Sequence, residues 1–172
     1  MSASLSRALA KLEVGKMTLI LALSVFLPFT VHLFPLFAGL PLGARLLPMF
    51  YAPFIALFFC RAHVAIVTAV LAPILNHVIT GHPVAAKIPL LNLELSFFVL
   101  FAYFLLKRFR VFSAGAPLAY IISKLCAAWL WRIISGANSM EFLAISLLNS
   151  LPGVAVLFVI NFLLINYRDR NA

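Results

Sequence analysis

Acidic residues are nearly missing from this chain. Four Asp and Glu stand among 172 residues, and charged side chains of both signs make up only 10%. A soluble domain has about a quarter of its residues charged and about half apolar. Here 65% are apolar. So few charges cannot form a water-facing surface, and lipid is the expected solvent for most of the chain. Cysteine is scarce as well: Cys60 and Cys126 are the two present, both in or beside apolar runs. No CxxC or Cys/His spacing accompanies them, which argues against a disulfide framework or a zinc site. They read as small apolar fillers. No GxxxxGK[ST] occurs, so the chain is not by itself a P-loop ATPase. HExxH and GxSxG are also missing, and no motif calls for a metal or an organic cofactor. Without an RNP motif or a zinc finger, the net charge of +9 reads as membrane topology, not nucleic-acid binding. There is no low-complexity tract, internal repeat or long soluble loop. Residues 1–172 therefore read as a single membrane domain.

Six apolar runs are present, at about 17–38, 46–60, 64–80, 88–106, 113–135 and 141–166. A transmembrane helix needs about 20 residues, with a range of about 17–25. The first run and the last three meet this. The second and third are short and carry Pro48, Pro53 and Pro73, which predicts a bent or shallow pair. No A-x-A-like site closes the first run, so a retained helix is expected rather than a cleaved signal peptide. Six spans put both termini on one side. That side collects Arg7, Lys11, Lys16, Arg61, Lys107, Arg108, Arg110, Arg168 and Arg170; the other collects Arg45, Lys87 and Arg132. Positive residues concentrate on the cytoplasmic side of membranes. The expected fold is an all-α integral membrane protein: a six-transmembrane-helix bundle with both termini cytoplasmic and residues 1–16 as a cytoplasmic N-terminal segment.

The remaining polar residues are not scattered. On this topology Asn76, His77, Asn92, Glu94, Trp129, Arg132 and Arg45 fall in the outer half of the bundle. Asn149 falls there too, about 12 Å along a helix that starts at Glu141. Buried polar groups in lipid are costly unless paired or facing a wet cavity. The shared expectation is an outward-facing ligand pocket with these residues as substrate contacts. Each has a plainer reading. Glu94 pairs with Lys124 or Arg132, and Lys124, nearly mid-span, is one half of a buried ion pair. The Asn side chains bridge neighbouring helices. His77 and His82 ligate a metal, or simply shape a Gly-Pro turn. Trp129 and Trp131 anchor at the interface, or one of them lines the pocket. Thr18 with Ala22, and Ala65 with Ala69, have the small-xxx-small spacing that permits close helix approach.

The segments LPMFYAPFIALFF, LAPILNHVITGHP and IPLLNLEL carry a resemblance. Leu47-Pro48, Ala72-Pro73, Gly81-His82-Pro83 and Pro89 followed by Glu94-Leu95 resemble the substrate-binding S components of energy-coupling factor (ECF) transporters. The likeness covers residues 17–106; from 107 onward it rests on topology. It implies a membrane protein that captures a vitamin or similar micronutrient in a pocket capped by the loop after the first helix. It also implies a separate membrane coupling subunit and two ATPase subunits that supply energy, so ATP hydrolysis is not expected on this chain. The family often docks its coupling subunit on an Ala-x-x-x-Ala face of the first helix. The nearest equivalent here is Thr18 to Ala22, with Ala65 to Ala69 as a second possible docking face.

The leading expectation is thus a substrate-capturing subunit of an ECF-type importer in the bacterial cytoplasmic membrane. The alternatives are a small membrane enzyme using Glu94 and His77 or His82 for acid–base or metal chemistry, and an ion-coupled carrier. The excess of cations on the outer side favours a ligand with an anionic group.

Overall fold

A computed structural model describes residues 3–34, 42–109, 112–136 and 140–170. Among these there is no strand. The helices are α1 (Ala3–His32), α2 (Leu42–Leu46), α3 (Pro48–Phe59), α4 (Ala62–Thr80), α5 (Ile88–Arg108), α6 (Gly115–Ser135), α7 (Met140–Asn149) and α8 (Leu151–Arg170). Five of them are long and apolar enough to cross a membrane; α3 is apolar but shorter, at 12 residues. The chain is a multi-pass helical protein.

One expected span is divided. The run at 46–60 forms α3, short as expected, and Leu47 before it adopts left-handed backbone (φ 55°, ψ 39°) between α2 and α3. A non-glycine residue there is strained by about 1–3 kcal/mol. The run at 64–80, also expected to be short, is long enough to span, as the 19-residue α4. The run at 141–166 breaks at Ser150, so the ten-residue α7 precedes a separate α8. Pro152 explains the break. It lacks the N–H that would continue the α7 ladder, and proline is tolerated in a first helical turn. The amphipathic segment 1–16 is helical from Ala3 and continuous with the first span. Residues 35–38 of that expected span lie outside the described residues.

Contacts order the helices end to end. Arg61 pairs with Glu13 at 2.8 Å, and the rings of Phe59 and Tyr167 are 5.7 Å apart, which places the starts of α1 and α4 and the end of α8 together. At the opposite end the rings of His32 and His82 stack at 5.3 Å. Helices α1 and α4 therefore run side by side in the same direction. We refer to the two poles as the basic end and the histidine end.

The core inverts the soluble pattern. Ala52, Ala56, Ala65, Ala69, Ala72, Ala102, Ala116, Ala119 and Ala127 are fully buried, while Leu19, Phe26, Val78, Phe104 and Ile133 face outward. Without a hydrophobic drive between helices in lipid, small residues permit close backbone approach and large ones meet acyl chains. Phe50 fills the centre, edge-on to Phe98 at 5.2 Å and to Tyr120 at 5.1 Å. Such pairs contribute about 0.5–1.5 kcal/mol each beyond area burial.

Asn76 joins the parallel helices. Pro28 has no N–H, so the carbonyl of Ser24, four residues earlier, has no backbone donor. Asn76 Nδ2 supplies one from α4 at 2.9 Å, and also donates to Ala72 O at 2.8 Å. At the other end Asn161 Nδ2 donates to Phe112 O at 3.1 Å and to Ser113 O, tying the α5–α6 turn to α8.

Candidate binding cavity

The α4–α5 turn is built by its own residues. Gly81 takes the left-handed conformation (φ 75°) and closes α4 through a bond from its N–H to His77 O. Glycine accepts that backbone without the penalty a Cβ would bring. Thr80 Oγ1 receives the His82 N–H at 3.2 Å, and His77 Nδ1 meets Pro83 O at 2.8 Å. The turn thereby brings His82 onto His32 and starts α5 with Pro89 in its first turn, where the missing N–H costs nothing.

Beneath this turn lies a cavity of about 490 Å³. Pro28 and His32 of α1, Gly43 of α2, Leu47 to Phe50 at the start of α3, His82 to Val84 of the turn, and Lys87 line its upper part. Leu91 and Glu94 of α5, Tyr120 and Lys124 of α6, and Ser146 of α7 complete it. Most of these walls are apolar or aromatic. The strained Leu47 is among them, and backbone strain clusters at functional sites.

The polar floor is one ion pair. Lys124 Nζ lies 3.2 Å from each oxygen of Glu94. Both side chains are only 11% exposed. Tyr120 supports the pair, with its ring centroid 5.7 Å from the ammonium. Its hydroxyl is buried beside Ser150 and Lys124. A buried ion pair is a weak source of stability but a strong constraint, because removing one partner strands the other in low dielectric.

Among the expected substrate contacts, the cavity gathers Glu94. The others lie elsewhere. Asn76 is buried between α1 and α4 on the Ser24 carbonyl, and His77 faces Pro83. Trp129, 61% exposed, points away from the bundle, and Arg132 is exposed at the end of α6. Asn92 is half-buried on α5, Arg45 half-buried on α2, and Asn149 half-buried at the end of α7. None of these lines the cavity. The polar residues that do and were not proposed as contacts are Lys124, Tyr120, His32, His82, Lys87 and Ser146. Lys124 was legible as an ion-pair partner of Glu94. Tyr120, one helical turn before Lys124, was legible from that spacing. The stacked imidazoles were not, since their meeting depends on α1 and α4 being parallel. No group of three or more His, Cys, Asp or Glu side chains with metal-binding geometry occurs among the described residues.

The two small-residue pairs part company. Thr18 and Ala22 are exposed on α1 and line an open apolar groove with Phe26, Phe29, Leu75 and Ile79. Ala65 and Ala69 have no exposed surface. They are spent on internal packing and offer nothing to a docking partner.

No protein-family model, curated protein or solved structure matches this chain.

Proposed function

We propose that this protein is a substrate-capturing membrane subunit of an ECF-type importer, binding a small vitamin-like compound at the histidine end. The observation that carries the reading is the cavity: an apolar recess near one end of a helical bundle, floored by a single buried ion pair. Cavities of about 300–1,000 Å³ with few convergent polar groups are typical ligand sites. In this reading the chain forms six passes, α3 being a short one, with α7 outside the count. The basic end is cytoplasmic, as the Lys and Arg distribution favours, and the histidine end faces outward. The membrane is the bacterial cytoplasmic membrane. The exposed groove at Thr18 and Ala22 receives a membrane coupling subunit, and two ATPase subunits supply the energy. The chain itself performs no catalysis.

A thermal-shift screen of the detergent-purified protein against vitamins and their precursors tests the capture role. A ligand at about a hundred times its dissociation constant stabilises the fold by about 2.7 kcal/mol. One clear shift supports capture. A flat response from a demonstrably folded protein rejects it. Co-purification with a coupling subunit and ATPases, lost in Ala22→Leu, tests the assembly separately.

A further inference from the structure

The capture reading leaves the chemistry of the cargo open, and the charge balance of the cavity narrows it. Arg45 and Arg132 do not line the cavity. Lys87 is exposed near the mouth. On the floor, Glu94 and Lys124 cancel one another at 3.2 Å. A ligand carboxylate would have to take Lys124 from Glu94 and leave that charge stranded among apolar walls. A ligand ammonium would do the reverse to Lys124. Stranding a buried charge is strongly unfavourable. The floor therefore selects against a fully charged group.

It is nevertheless rich in unused hydrogen-bonding capacity. An ammonium has three N–H donors, and Glu94 engages two of them at most. The carboxylate keeps lone pairs beyond those facing Lys124. The Tyr120 hydroxyl beside them carries one proton and two lone pairs. Donors and acceptors thus sit side by side on one small surface. Above it, Phe50, Leu47 and Leu91 supply apolar and aromatic walls, which suit the faces of a flat ring.

We infer that the cavity takes an uncharged, planar nitrogen heterocycle whose edge carries an N–H donor next to a carbonyl or ring-nitrogen acceptor. The N–H donates to a Glu94 oxygen. The acceptor receives a bond from Lys124 or from the Tyr120 hydroxyl. Lactam and aminopyrimidine edges have this pattern. Neither contact displaces an ion-pair partner, and a bond to Glu94 or Lys124 is charge-assisted, about twice as strong as a neutral one. The inference rests on the capture reading and replaces the anionic ligand that the overall cation excess suggested.

The test uses the full chain in detergent with defined probes. Hypoxanthine, cytosine and quinazolin-4-one represent the neutral edge. 3-Methylquinazolin-4-one lacks the N–H. Quinoline-4-carboxylate and 4-(aminomethyl)quinoline carry the two charges on a similar ring. Equilibrium dialysis should show binding of at least one neutral-edge probe. Methylation or either charge should weaken binding by at least about tenfold, because a site built for a hydrogen bond rejects the analogue that lacks it. The double variant Glu94→Gln with Lys124→Met leaves no stranded charge. It should melt within a few degrees of the parent and lose the neutral-edge probes. Binding of a charged ring as tight as that of the neutral ones would overturn the inference and leave capture standing. So would equal binding of the methylated probe, or unchanged binding in the double variant. Silence from these probes and from the whole vitamin panel would overturn both.

Discussion

At the scale of single residues, Glu94, Lys124 and Asn76 have distinct costs of removal. Lys124→Met leaves Glu94 charged in an apolar recess and should lower stability by about 3–5 kcal/mol. Adding Glu94→Gln should restore most of that loss in denaturation measurements. A single variant as stable as the parent would mean the pair is solvated. Asn76→Leu removes the donor to Ser24 O and should cost about 0.6–2 kcal/mol, the span of values for interhelical hydrogen bonds in membrane helices. In a Pro28→Ala background the same change should cost less, since residue 28 then returns its own N–H to that carbonyl. Strictly additive losses around this double-mutant cycle would refute the proline-compensation account. The sequence made part of this legible. Glu94 and Lys124 stood out because ionisable groups inside a span need a partner, although Arg132 was an equal candidate for Glu94. Asn76 was identified as polar and inward-facing, yet its partner was hidden. The relevant clue, Pro28 four residues after Ser24, lies in another helix, and only the parallel packing of α1 and α4 connects them.

At the scale of elements, helix existence followed from hydropathy, and helix ends followed from proline and glycine. Spans four and five were read close to their observed limits. The break before Pro152 was not, because hydropathy is continuous across it and only backbone chemistry interrupts the helix; the short α2 before Pro48 lay, but for Leu46, outside every apolar run. Small-xxx-small spacing was equally ambiguous: the same pattern faces lipid at Thr18 and Ala22 and the core at Ala65 and Ala69. Leucine at the two alanines separates the cases. Ala69→Leu should wedge α4 from its neighbours and cost about 1–3 kcal/mol, as overpacking does. Ala22→Leu should leave the melting temperature nearly unchanged. Gly153 marks where α8 presses on α2; a Cβ there would lie 2.6 Å from Arg45 O. Gly153→Ala should therefore destabilise by about 1–3 kcal/mol. Thermal unfolding of all three variants in one detergent would settle the ranking.

At the scale of the whole molecule, the order of the poles can be checked directly. In a background with Cys60 and Cys126 replaced by serine, cysteines at His82 and at Arg61 should react with a membrane-impermeant thiol reagent from opposite faces of a sealed vesicle. The His82 site should be the one open to the outside. Labelling of both from one face would dismantle the end-to-end arrangement drawn from the Glu13, Tyr167 and His32 contacts. Six passes were expected from six apolar runs. Among the described residues five helices are full-length and one, α3, is short; the third run, expected to be short, is among the five.

The shortness of α3 has an electrical consequence. Its 12 residues rise about 18 Å, against a hydrocarbon core of about 30 Å. The remaining depth beside it is occupied by α2 and the mouth of the cavity. In a bilayer, an applied voltage falls mainly across the part of the protein that excludes water and ions. The insulating layer at this point is then thinner than the surrounding membrane, and the local field is correspondingly steeper. The Glu94–Lys124 pair in that cavity is a dipole, with no net charge for the field to push. On the proposed reading, an uncharged ligand would leave the dipole whole, so neither its arrival nor its departure would move charge through the field.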